Sequence, residues 1–157
     1  MESGQTEDYQ IDMGFRDMPV TDPVAERNRR TLLDGLNKLM SGDPDGFWEI
    51  YDPEAVFYEA SCLPYGGEHR GIEAVKSGFA QIEQVFSRMD ASFEALLAAE
   101  DLVILYQTNQ YTVRANGNSG ELKCAEVFRF RDGKVVEWRA HYFDACAIAK
   151  AITGKEG

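Results

Sequence analysis

The sequence is poor in the residues that build metal and disulfide frameworks. Its three cysteines, Cys62, Cys124 and Cys146, are odd in number, widely spaced and form no CxxC pair. That pattern argues against a structural zinc site and a disulfide scaffold, and it suits reduced thiols in a cytoplasm. Apolar runs are short throughout, below the roughly 20 residues that span a bilayer, and the opening MESGQTEDYQ lacks the basic and apolar parts of a signal peptide. Positive charge is scarce too, with 16 Lys and Arg against 27 Asp and Glu and a formal net charge of −11. Such a chain repels phosphate backbones and anionic lipid, so neither nucleic acid nor membrane is an expected partner.

What is present fits one domain, since 157 residues bury a sizeable core without room for two comfortable ones. Residues 1–20 are polar and aperiodic and are expected to form a flexible arm, with Met13, Phe15, Met18 and Val20 able to dock on a neighbouring surface. The domain is expected over 21–153, with a frayed end at 154–157. Asp22-Pro23 and Asp43-Pro44 are cap and first-turn pairs that start two helices. Ala55–Ala60 reads as a strand, and the segment 61–71, with one Pro and three Gly, as an irregular loop. The stripe Val75, Phe79, Ile82, Phe86, Met89 predicts a long amphipathic helix. Strands follow over 92–98, 102–114, 122–131 and 134–143, then a short helix over 144–152. Helices before an antiparallel meander describe an α+β domain: a cone-shaped, curved, mostly antiparallel sheet wrapped on N-terminal helices, with a pocket between the layers.

The last two strands flank Asp132-Gly133, the residue pair suited to a type I′ turn. A regular two-residue hairpin would set Phe130 against Val135, Phe128 against Glu137, Glu126 against Arg139 and Cys124 against His141. One face would then carry Phe128, Phe130, Val135 and Phe143 together with Glu126, Arg139 and His141, an apolar wall holding ionisable groups. A bulge near Arg139-Ala140 would exchange His141 for Tyr142. Glu126 and Arg139 would either orient a substrate or form a cross-strand ion pair. Of the neighbours Tyr58 and Glu59, only one can face inward.

The loop LPYGGEHRG running into GIEAVKSGF, with the hairpin FRFRDGKVVEWRAHYFD, resembles the SnoaL-like branch of the nuclear transport factor 2-like superfamily. That branch includes polyketide cyclases, ketosteroid isomerases, scytalone dehydratase and limonene epoxide hydrolase. The resemblance covers about residues 22–152 and implies the cone-shaped fold. Aligned on Tyr142-Phe143-Asp144, His141 stands where relatives place an acid–base aspartate. Aligned on Leu63-Pro64, Tyr58 matches a catalytic tyrosine of the epoxide hydrolase. That enzyme's Arg-x-Asp pair is missing, and Gln107, Asn109 and Tyr111 occupy the middle strand instead. The expectation is a lyase, isomerase or cyclase that abstracts and returns a proton beside the carbonyl of a small, largely apolar polyketide- or terpenoid-like molecule, without metal or organic cofactor. His141 would be the base, Tyr58 and Arg139 would stabilise the enolate, and Glu126 would orient Arg139. Tyr65, His69, Glu59, Asn109, Phe128 and Phe143 would contact substrate. Epoxide hydrolysis, or a non-catalytic binding module of the same fold, are the alternatives, and a homodimer through the sheet is expected under either.

Overall fold

The computed structural model describes residues 11–12 and 19–154. The first helix, α1 (Pro23–Met40), starts where Asp22 Oδ1 accepts from the Ala25 N–H at 2.7 Å, and α2 (Pro44–Trp48) starts where Asp43 accepts from Gly46 at 2.9 Å. Strand β2 (Tyr51–Glu59) pairs with a short β3 (Gly67–Arg70). The end of the expected irregular loop is therefore a strand, because β2 offers a free edge to it. Helix α3 (Ile72–Val85) is followed directly by β4 (Phe86–Ala99), then β5 (Leu102–Val113), β6 (Ser119–Arg131), β7 (Lys134–Tyr142) and α4 (Ala145–Thr153). The long helix expected to reach Met89 thus stops at Val85. Phe86 and Met89 reach the core from a strand, which is why they continued the apolar stripe.

The arm expected over 1–20 lies outside the described residues, apart from Pro19, Val20 and the two-residue strand β1 (Ile11–Asp12), which pairs in parallel with Ala91 and Ser92 of β4. The seven strands form one sheet in the order β1-β4-β5-β6-β7-β2-β3. Pairing is antiparallel from β4 to β7 and between β2 and β3, and parallel between β7 and β2. The helices cover one face of this mixed, curved sheet. Leu32 and Leu36 of α1, Phe47 of α2 and Val75 of α3 pack with Phe93, Leu105, Phe128 and Trp138 in the main core. A second cluster, with Tyr65, Phe86, Tyr111, Leu122 and Ile148, closes the end under α4.

The β6–β7 turn forms as expected, with Asp132 at φ 52° and Gly133 at φ 78°. Beyond Phe130–Val135 the register departs from a regular hairpin. Arg129 pairs with Glu137, so Val136 has no partner and forms a bulge. Every later residue of β7 changes face: Phe128 sits opposite Trp138, Glu126 opposite Ala140 and Cys124 opposite Tyr142. The bulge lies nearer the turn than Arg139-Ala140, with the same consequence, that Tyr142 takes the place of His141.

Candidate active site

Between the helices and the concave face of the sheet lies a cavity of about 140 Å³. Its walls are mainly apolar, from Leu36, Leu39, Phe79, Ile82, Phe93 and Leu105. Its polar groups come from adjacent strands: Glu59 from β2, Tyr142 and Trp138 from β7, Glu126 and Cys124 from β6, Gln107 and Asn109 from β5, with Glu83 of α3 on the helix side. Among the described residues that line it, none is Lys, Arg or His.

The fixed frame is aromatic. Trp138 stacks on Phe57 at 4.0 Å between ring centroids and lies 5.5 Å from Phe128. Its indole Nε1 is buried without a partner of full hydrogen-bond geometry. Tyr142 Oη donates to Glu59 Oε1 at 3.0 Å, while Glu59 Oε2 is buried and unpartnered. Burial pushes the Glu59 carboxyl up to about 8; the Tyr142 hydrogen bond opposes this and the nearby Glu126 adds to it. Burial likewise lifts Glu126 to about 7, against the pull of the Trp138 and Gln107 side chains. The Cys124 thiol and the Tyr142 hydroxyl are pushed well above their ordinary values, chiefly by burial, and so stay protonated. Two neighbouring carboxyls raised by burial, one with a free oxygen, thus share an apolar chamber.

This constellation differs from the expected one. Glu126, Glu59, Asn109 and Phe128 do line the cavity. His141 is exposed and Arg139 faces away with it, both turned outward by the Val136 bulge. Tyr58 is on that outer face as well, beneath the Arg139 guanidinium at 3.8 Å from its ring centroid, and Arg139 pairs with Glu137 instead of Glu126. Phe143 is 88% exposed and contributes no wall. His69 is on the inner face but outside the cavity: its Nε2 meets the Tyr65 carbonyl at 2.9 Å, and its ring lies 5.7 Å from Phe57. Tyr65 packs in the second cluster against Tyr142, one shell behind the cavity. Gln107, Trp138 and Cys124 were not among the expected site residues, although Gln107 and Cys124 sit in phase with Asn109 and Glu126 on their strands.

The sequence pattern of SnoaL-like domains matches residues 30–138. The chain belongs to the SnoaL-like domain family. Among solved structures, an NTF2-like protein of unknown function from Burkholderia pseudomallei is 22% identical, with a TM-score of 0.72 over 81% of this chain and 98% of that one. A protein named for SnoaL-like polyketide cyclases, from Jannaschia sp. CCS1, is 20% identical, with a TM-score of 0.74 over 90% and 99%. TerC, co-crystallised with polyporic acid, is 19% identical, with a TM-score of 0.70 over 81% and 98%. These likenesses show the fold of this SnoaL-like chain and leave its chemistry to its own residues. No curated protein matches it by sequence.

Proposed function

We propose that this SnoaL-like domain is a small-molecule lyase, isomerase or cyclase that moves a proton next to a carbonyl, using the Glu59–Glu126 pair. The observation that carries the reading is the free, buried Glu59 Oε2 beside a second carboxyl that titrates near pH 7. With Tyr142 donating to Oε1, the proton of neutral Glu59 resides on Oε2 and points to whatever fills the cavity. A substrate carbonyl accepting there would be polarised as negative charge develops on its oxygen. Glu126, ionised over part of the neutral range, would take the α-proton and return it at another position or to a leaving group. Trp138 and Gln107 would steady its carboxylate. The apolar walls, with no cation among the described lining residues, favour an uncharged, largely apolar substrate. The reading accords with the names of some structural neighbours, which refer to polyketide cyclases.

The test needs no knowledge of the natural substrate. Neutral cyclic ketones, enones and aromatic polyketide fragments are incubated with the protein in D2O, and exchange of their α-protons is followed by proton NMR. Enzyme-dependent exchange with at least one compound, lost in Glu126→Gln, is the expected outcome. Binding without exchange, or exchange unchanged in Glu126→Gln, would overturn it.

A further inference from the structure

Two of the three cysteines, 84 positions apart in sequence, lie near one another at the surface. Cys62 and Cys146 are both exposed, whereas Cys124 is buried in the cavity wall. Cys62 Sγ contacts the Ala145 carbonyl oxygen at 3.9 Å. That carbonyl belongs to the peptide bond whose next α-carbon is Cys146, and a planar peptide sets these two atoms about 3 Å apart. Cys62 Sγ therefore lies within about 7 Å of the Cys146 Cα, so the two thiols share one patch of surface.

Both residues sit on well-held backbone. The loop carrying Cys62 is folded into consecutive turns, with Leu63 N–H donating to the Ala60 carbonyl at 3.0 Å and Gly66 N–H to the Leu63 carbonyl at 2.9 Å. A Cβ at Gly66 would fall 2.2 Å from the Ala60 oxygen, so the turn is as tight as glycine allows. Cys146 lies in the first turn of α4, which Asp144 caps by accepting from the Ala147 N–H at 2.9 Å. Leu63 and Tyr65 of the loop share a buried cluster with Ile148 of the helix, so the two segments are already docked.

We propose that Cys62 and Cys146 form a surface dithiol that a peroxide-class oxidant closes into an intramolecular disulfide. One thiolate attacks a peroxide oxygen, the O–O bond breaks and hydroxide leaves, giving a sulfenic acid. The second thiolate attacks that sulfur and displaces hydroxide, so that two thiols are oxidised and hydrogen peroxide is reduced to two waters. The bridge ties the loop to α4, and Tyr65 of that loop packs against Tyr142, the partner of Glu59. The oxidation thereby reaches the back of the cavity.

The reduced full-length protein is treated with hydrogen peroxide at equimolar to tenfold excess, and intact mass and non-reducing peptide maps are read. A loss of about 2 Da, a Cys62–Cys146 cross-linked peptide and restoration by a thiol reductant are expected. Cys62→Ser and Cys146→Ser each abolish the loss, and Cys124→Ser retains it. Oxygen addition at each cysteine without a bridge, a bridge involving Cys124, or only intermolecular dimers would overturn the proposal.

Discussion

At the scale of single residues, the proposed chemistry turns on two carboxyl groups. Catalysis that needs Glu126 ionised and Glu59 protonated rises as pH passes about 7 and falls as it passes about 8. The α-proton exchange rate should therefore trace a narrow bell, whose limbs belong to the coupled pair. Because Glu126 helps to raise Glu59, Glu126→Gln should also lower the pH at which Glu59 loses its proton, read by carboxyl NMR. His141→Ala should leave exchange within about twofold of the wild type, since its side chain is exposed on the far face of β7; a loss of a hundredfold or more would restore it to the site. Glu126 was legible because its acidic side chain interrupts an inward apolar row. Tyr142 and His141 could not be told apart from local pattern, since KVVEWRAHY alternates acceptably whether or not a residue is skipped. Either valine of Val135-Val136 suits an inward position.

At the scale of elements, β7 shows how one unpaired residue sets the chemistry. Deleting Val136 would remove the bulge and leave the pairs Arg129–Glu137, Phe128–Trp138 and Cys124–Tyr142 in a regular ladder, with Trp138 and Tyr142 still inward and His141 still outward. Trp138 is 4% exposed and stacked on Phe57, so Trp138→Ala should cost about 3–5 kcal/mol, measured by urea denaturation. A Trp138→Ala variant of unchanged stability would show that this inward indole does not hold the sheet together. The hairpin itself was legible from Asp132-Gly133, because few residue pairs accept two positive φ angles in succession. The end of α3 was not. Helical and strand spacing both bring Phe86 and Met89 to the core, and only the backbone at Phe86, φ −106° and ψ 133°, separates the two readings.

At the scale of the whole molecule, the outer face of the sheet and the stability of the fold each carry an expectation. Leu97 and Tyr106 are 58% and 40% exposed on the outer side of β4 and β5, near Ile104 and Val127. We propose that this face pairs two copies of the chain. Sedimentation should give about twice the 17.6 kDa monomer, and Leu97→Glu with Tyr106→Glu should halve it; a monomeric wild type would refute the pairing. Raised carboxyls bind protons more tightly in the folded than in the unfolded chain. Their contribution is complete below about pH 4.5 and is lost as pH rises through about 7 and 8. Glu26 acts in the opposite sense: Arg29 and the Val20 N–H hold it down at about 2, so its contribution is lost as pH falls from about 4.5 towards that value. Glu59→Gln should accordingly stabilise the fold by up to about 4 kcal/mol at pH 8 and by about 1 kcal/mol or less at pH 5, as read by urea midpoints. The most direct test of the buried pair is a carbon-13 NMR titration of the whole protein with labelled glutamate carboxyls, beside Glu59→Gln and Glu126→Gln. Two resonances that titrate between about pH 6.5 and 8.5, each missing from one variant, are predicted, and a protein whose every glutamate titrates below pH 5.5 would contradict the account.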